Sequence, residues 1–170
     1  MLSKKELFSQ IYDQYINKIY RFVFLKVNSQ ETAEDLTSQT FLKGWQAFQG
    51  QNKIENIQAF LYQIARNLVV DHYREKGKAN LISVELSDLG DPIADTANDL
   101  EERAILSSDI NNIKAILAGL KDDYQNAIIW HYLDDLPICE VAKLLDRTES
   151  ATRVLLHRAL ESVKKKVNLA

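Results

Sequence analysis

At 170 residues, 46% of them apolar, with two prolines and five glycines, the chain can hold one helical domain or two small ones. No apolar run approaches a bilayer span, the N-terminus turns polar too early for a signal peptide, and a lone Cys139 excludes an intrachain disulfide, so a cytoplasmic protein is expected. The net charge of −3 argues against a nucleic-acid binder only as a sum: residues 1–80 hold 11 Lys+Arg against 8 Asp+Glu, residues 81–123 hold 3 against 10, and residues 147–166 hold 6 against 2.

The first predicted element spans residues 5–27, where Phe8, Ile11, Tyr15, Ile19, Phe22 and Val23 recur at spacings of three and four. Asn28 and Ser29 break it, and Ser29 is a suitable N-cap for a second helix over about 30–48. A polar loop, QGQNKIEN, follows at 49–56. A third helix, roughly 57–76, buries Ile57, Phe60, Leu61, Ile64 and Leu68, with Gln63, Arg66, Val70 and Arg74 on the far side and Asn67 beside them. Periodicity then fails, and an acidic linker is predicted over 77–98.

The helical pattern returns at about 99–118 through Leu100, Ala104, Ile105, Ile110, Ile113, Ile116 and Leu117. A break at Gly119–Asp123, a short helix at Tyr124–Tyr132 ended by Asp134–Asp135, and a helix at Leu136–Leu145 come next. A turn at Asp146–Arg147 leads to a last helix capped by Thr148. The fold class is all-α: two small helical bundles, 1–78 and 99–170, joined by a flexible acidic linker at 79–98.

The last two helices have the form of a helix-turn-helix. On a helical wheel Thr152, Leu155, Leu156, Ala159 and Val163 share one side of the last helix. Ser150, Arg153, Val154, His157, Arg158, Glu161, Lys164 and Lys165 share the other. Arginine can bond guanine bidentately, serine can bond base edges or phosphate, and exposed Val154 can touch a thymine methyl. The terminal lysines suit phosphate, being flexible point charges. A second interpretation stays open on the wheel alone: a solvated face whose basic last turn complements the helix dipole.

With these motifs in order, the sequence resembles the extracytoplasmic-function sigma factors of the sigma-70 superfamily. YDQYINKIYRFVFLKV and AEDLTSQTFLKGW resemble the sigma region that holds RNA polymerase core. IQAFLYQIARNLVVDHYREK resembles the segment that opens and reads the −10 element, and EVAKLLDRTESATRVLLHRAL the helix-turn-helix that reads the −35 element. The resemblance implies that residues 1–78 are sigma region 2 and residues 99–170 sigma region 4. It implies a subunit for promoter recognition, DNA melting and transcription initiation, with no catalytic residues and no cofactor. Its partners would be the coiled coil of the largest polymerase subunit, promoter DNA and, in some members, an anti-sigma factor.

On that resemblance, core binding falls to Asp35, Ser38 and Gln39. The −10 set is Asn52, Lys53, Asn56, Arg66, Asn67 and Arg74, since capture of a flipped base needs donors and acceptors for its edge. The −35 set is Ser150, Arg153, Val154, His157, Arg158, Lys164 and Lys165. Some positions depart from the family: Ser38–Gln39 stands for the commoner Gln–Glu, Leu155 for a frequent Arg, and Asp146 for a frequent turn Gly that Asp can replace at positive φ. The acidic linker is either a nucleic-acid mimic or a plain tether.

Other candidates are bland. His72, His131 and His157 lack metal spacing with Cys139, which is expected to be a buried small residue on a packed helix. Trp45 and Trp130 read as core or interface aromatics. The competing functions are a helix-turn-helix regulator that acts without polymerase core and a sigma-like interaction protein that no longer reads DNA.

Overall fold

The computed structural model describes the backbone of residues 1–51, 53–82 and 100–169, and side chains over 1–51, 53–77 and 109–168. Asn52, most of the predicted linker (83–98) and the side chains of Leu100, Ala104 and Ile105 lie outside the described residues. Every secondary-structure element among the described residues is helical: α1 (Lys4–Lys26), α2 (Gln30–Gln49), α3 (Ile57–Ile82), α4 (Leu100–Ala118), α5 (Asp122–Ile128), a π-helical segment (Ile129–Leu133), α6 (Ile138–Leu145) and α7 (Glu149–Leu169).

Local chemistry sets the starts of these helices. Ser3 and Glu6 form a capping box on α1, with Ser3 N donating to Glu6 Oε2 at 2.8 Å and Glu6 N to Ser3 Oγ at 3.2 Å. Ser29 caps α2 by accepting from Thr32 N at 3.1 Å, as its sequence position predicts. Asn56 does the same for α3 through Ala59 N at 3.0 Å.

The first bundle is α1–α3. Ile19, Phe22, Val23, Leu61, Tyr62 and Ala65 are fully buried in it. Thr37 and Thr40 are also buried, because each hydroxyl donates back to a carbonyl four residues earlier, Ala33 at 2.6 Å and Leu36 at 2.7 Å. Gly44 lets α2 approach α3 closely: a Cβ there would sit 2.9 Å from Leu61 Cδ2.

The second bundle is α4–α7. Leu117 and Leu120 meet Ala127 to Trp130, Leu136, Val141, Leu145, Leu155, Leu156 and Ala159 in its core. Gln125 closes the predicted break between α4 and α5, its amide donating to the carbonyls of Leu117 at 2.8 Å and Leu120 at 3.0 Å. The predicted helix after that break is longer and changes pitch. It starts at Asp122, and past Ile128 it widens into the π-helical segment, closed by Asp134 N donating to Ile129 O at 3.0 Å.

Three expectations need correction. α3 runs to Ile82 rather than stopping near 76; Gly77 meets nothing within 4 Å and its propensity cost of about 1 kcal/mol does not end the helix. Cys139 is exposed, not buried, because at about 3.6 residues per turn it falls away from the α6 face that buries Val141, Ala142 and Leu145. Arg66 does not simply face solvent: it is half-buried and bonded to the second bundle, as described below.

The two bundles share one core. Trp130, fully buried, stacks on Phe22 (5.6 Å between ring centroids) and tilts against Tyr62 (6.0 Å). Around it, Arg21 bonds the Asp134 carboxylate and, at 3.2 Å, the Leu133 carbonyl. Tyr62 donates its hydroxyl to the other oxygen of Asp134. Lys26 pairs with Asp122 and donates to Gln125 Oε1 at 2.9 Å. Lys114 donates to the carbonyls of Phe24, at 3.1 Å, and Val27.

Candidate nucleic-acid interface

The helix-turn-helix is built on the conformation of Asp146. This residue ends α6 in the left-handed region (φ 53°, ψ 49°), and Arg147 N then donates to Ala142 O at 3.0 Å. Aspartate tolerates that region better than most side chains do. Thr148 caps α7, its Oγ1 accepting from Ala151 N at 3.1 Å and its carbonyl from Thr152 N at 2.9 Å. α7 is therefore aimed by a tight turn whose residues act locally.

The predicted two-sided pattern of α7 holds. Thr152, Leu155, Leu156 and Ala159 are buried, and Val163 is half-buried. Ser150, Arg153, Val154, His157, Arg158, Lys164 and Lys165 are all exposed, Val154 to 50%. Arg153 has only a loose ion pair with Glu149, at 3.6 Å, so its guanidinium stays available. Lys166 is different: it folds back over Gly119, where its Nζ would collide with any added Cβ.

Sequence reasoning missed Arg147 as a member of this surface. It lies at the head of α7 and pairs with Asp123 at 3.0 Å, and together with Lys121, Val154 and Arg158 it lines an open concavity beside α5. Its position in the turn, one residue before the cap, is the signal that could have found it.

On the first bundle the −10 candidates divide. Lys53, Asn67 and Arg74 are exposed. Asn56 uses Oδ1 as the cap of α3. Arg66 donates from Nη1 to Leu144 O at 2.7 Å and lies 3.6 Å from Asp123. A groove of about 480 Å³ runs between Lys53, Ile54, Asn56 and Phe60 on one side and Glu140, Lys143 and Leu144 on the other. α6 thus forms one wall of the groove beside the −10 candidates.

The predicted core-binding residues share one face of α2. Asp35 and Ser38 are exposed, and Gln39 donates to Asp35 Oδ2 at 2.8 Å, which holds the carboxylate in place. Leu42, one turn further along, is 57% exposed and extends this face with an apolar group. The spacing of three and four from Gln39 and Ser38 makes Leu42 findable from sequence. Among the described residues no group of histidine, cysteine and carboxylate side chains could hold a metal ion, and no helix is long and apolar enough to cross a membrane.

Comparison with known proteins finds two family matches, one in each bundle. The family description Sigma-70 region 2 matches residues 11–79, and Sigma-70, region 4 matches residues 110–163. The chain is 31% identical over 169 residues to the ECF RNA polymerase sigma factor BldN of Streptomyces coelicolor, covering 93% of the chain but only 59% of the length of BldN. It is 25% identical over 170 residues to the ECF RNA polymerase sigma factor SigW of Bacillus subtilis, covering 96% of the chain and 90% of SigW. Its fold is similar to that of the sigma factor RpoE from Bartonella quintana, solved with the anti-sigma factor NepR: TM-score 0.73 at 20% identity, covering 95% of the chain and 96% of RpoE.

Proposed function

The chain belongs to the extracytoplasmic-function sigma factors of the sigma-70 superfamily, and from that premise we propose that it is a dissociable RNA polymerase subunit that reads a promoter with two surfaces. The −35 surface is the outer face of α7. Arg153 and Arg158 read base edges, Ser150, Val154 and His157 flank them, and Lys164 and Lys165 take phosphates. The −10 surface is the loop at 52–56 with the adjoining side of α3. Lys53 and Arg74 contact the backbone, Asn52, Asn56 and Asn67 offer amides to a base edge, and Arg66 joins them once released from Leu144.

Asp35, Ser38, Gln39 and Leu42 form the face for the polymerase core. The chain itself is not an enzyme; what it supplies is positioning and strand separation. An anti-sigma factor, such as the one bound to RpoE, is a further partner proposed for this chain.

The observation that carries this assignment is the exposed, polar outer face of α7 behind a left-handed Asp146 turn, in a chain whose other bundle presents a second nucleic-acid-compatible face. Run-off transcription with purified bacterial core polymerase on fragments of its own genome tests it. Initiation at specific sites that depends on this chain is the expected result. Tight sequence-specific DNA binding without core would instead favour a stand-alone helix-turn-helix regulator. Core binding with no initiation would favour an interaction protein.

A further inference from the structure

Resting on that assignment, we infer that the concavity between α5 and the head of α7 binds one backbone phosphate of the duplex that α7 reads, with Arg147 and Lys121 as its ligands. Arg147, Ala151, Val154 and Arg158 follow one another at spacings of four, three and four, so they form the edge of α7 that adjoins α5, and all four are exposed. Ala151 is the smallest of them and leaves the space between the two arginines open. Across from this edge stand Lys121 and Tyr124, and buried Leu155 forms the floor. The concavity measures about 620 Å³, which is room for a sugar–phosphate unit.

Its charges favour an anion. Lys121, Arg147 and Arg158 border it on the cationic side, and the Lys121 ammonium lies 5.7 Å from the centre of the Tyr124 ring. Two carboxylates also border it, and both are engaged: Asp122 with Lys26, and Asp123 with Arg147 at 3.0 Å and Arg66 at 3.6 Å. The pair between Arg147 and Asp123 is partly exposed and contributes little to stability, so stability alone does not account for three cations on one edge. The pair does hold the guanidinium beside the concavity, with donors left over for an oxyanion.

The shape of a duplex supplies that oxyanion. An α-helix about 10–12 Å across fills a major groove about 12 Å wide. The two phosphate strands then run along the flanks of the helix while its outer face meets the bases. Arg153 and His157 belong to the outer face; Arg147 and Lys121 stand on the flank. A phosphate held there carries no sequence information, and it fixes how α7 slides and tilts in the groove.

The test uses the full chain assembled with core polymerase on a promoter found by run-off transcription. If nothing initiates, it uses the full chain alone on a duplex selected from a random pool. Uncharged methylphosphonates replace the phosphates one at a time along both strands of the site that α7 reads. In the parent, one position on one strand should weaken binding severalfold. The double variant Arg147→Ala, Lys121→Ala should be insensitive at that position and keep the parent's order of sequence preference. Its slope of log affinity against log salt should be shallower by about 0.9, so its deficit narrows about 3.5-fold between about 50 mM and about 200 mM salt. Arg147→Lys, made in the presence of native Lys121, should keep the parent's slope. Where the double variant folds poorly by circular dichroism, Arg147→Gln is read in the same way. A methylphosphonate profile identical in parent and variant overturns the phosphate site, and specific initiation in that case leaves promoter reading intact. A changed sequence preference with an unchanged salt slope also overturns it, because the side chain would then act on bases. Neither initiation nor a selected duplex would overturn promoter reading itself, and the phosphate site with it.

Discussion

Arg66 and Leu144 are joined by a 2.7 Å hydrogen bond from guanidinium to carbonyl, so a position on α3 proposed to face the −10 DNA is tied to the first helix of the helix-turn-helix. An arginine has five donors, and one bond to a carbonyl plus a loose 3.6 Å pair with Asp123 leaves the group mobile enough to be exchanged for phosphate. The two surfaces proposed to face the promoter are thus linked through ordinary exchangeable contacts, and substitutions on one bundle are expected to register on the other.

In the proposed function, reading of the −35 element falls to Arg153 and Arg158. Replacing either with alanine should cost about 1–3 kcal/mol of binding to the preferred site and relax choice at one position. Lys164→Ala and Lys165→Ala should weaken binding to all sequences alike and flatten its salt dependence. Competition binding across a promoter library, run at several salt concentrations, separates these effects. A sequence-selective loss at the lysines would contradict their phosphate role.

Asp146 should behave as a conformational residue. Asp146→Gly is expected to be neutral or mildly stabilising, since glycine adopts φ 53° without penalty. Asp146→Val should cost roughly 1–2 kcal/mol in urea denaturation, because a β-branched side chain is strained there. Equal stability of the two variants would argue against control of the turn by this residue.

Leu155 stands where the resemblance to the family leads one to expect arginine. It is only 6% exposed and packs in the core of the second bundle. Leu155→Arg is therefore expected to destabilise by roughly 3 kcal/mol or more rather than add a DNA contact. Thermal unfolding and promoter binding measured on one preparation will tell these outcomes apart.

Asn56 has two separable jobs. As the cap of α3 it accepts from Ala59 N, and Asn56→Ala should cost about 1 kcal/mol of stability, which Asn56→Asp should restore. If the amide nitrogen also reads a base, both variants should lose −10 affinity, the aspartate despite its restored stability. Recovery of −10 binding in Asn56→Asp would confine the residue to capping.

The boundary between the bundles should weaken at high pH. Burial, reinforced by the charge of Asp134 and the hydrogen bond it accepts, pushes the Tyr62 phenol above the ordinary tyrosine range. The folded chain keeps this proton after the unfolded chain, with a pKa of about 10, has released it. The contribution is therefore whole below about pH 10 and falls as pH rises beyond it. Comparing urea midpoints at about pH 8 and about pH 10.5 should show a smaller drop for Tyr62→Phe than for the parent.

What was legible in the sequence was whatever local periodicity and capping decide. Leu155 turns inward and its neighbour Val154 outward, as the wheel requires, and Ser29 and Thr148 begin their helices where expected. The misses share a physical cause, which is dependence on a distant partner. Asp134 and Asp135 look alike as a helix end. Only Arg21 and Tyr62, 113 and 72 residues away, make the first of them a buried residue. Arg66 lies on the polar side of its own helix, and only α6 turns that side into a contact. Cys139 is a different case: Ile138, Val141, Ala142 and Leu145 already mark the covered face of α6 by their spacing, and Cys139 falls off that face, so its exposure follows from position even though its residue type suggests burial.

Lys114 carries one more consequence. The carbonyls ending α1 have no partners further along their own helix. Those of Phe24 and Val27 accept from Lys114 of α4, which also lies 4.8 Å over the Phe24 ring. The final turn of α1 is thus completed by Tyr73 of α3, which donates to Lys26 O, and by a residue almost ninety positions away, and the second support is lost whenever the bundles part. Amide exchange in the peptide spanning Phe24 to Val27 is then a built-in gauge of separation. It needs no label, and it responds in the same way whether polymerase, an inhibitor or heat draws the halves apart.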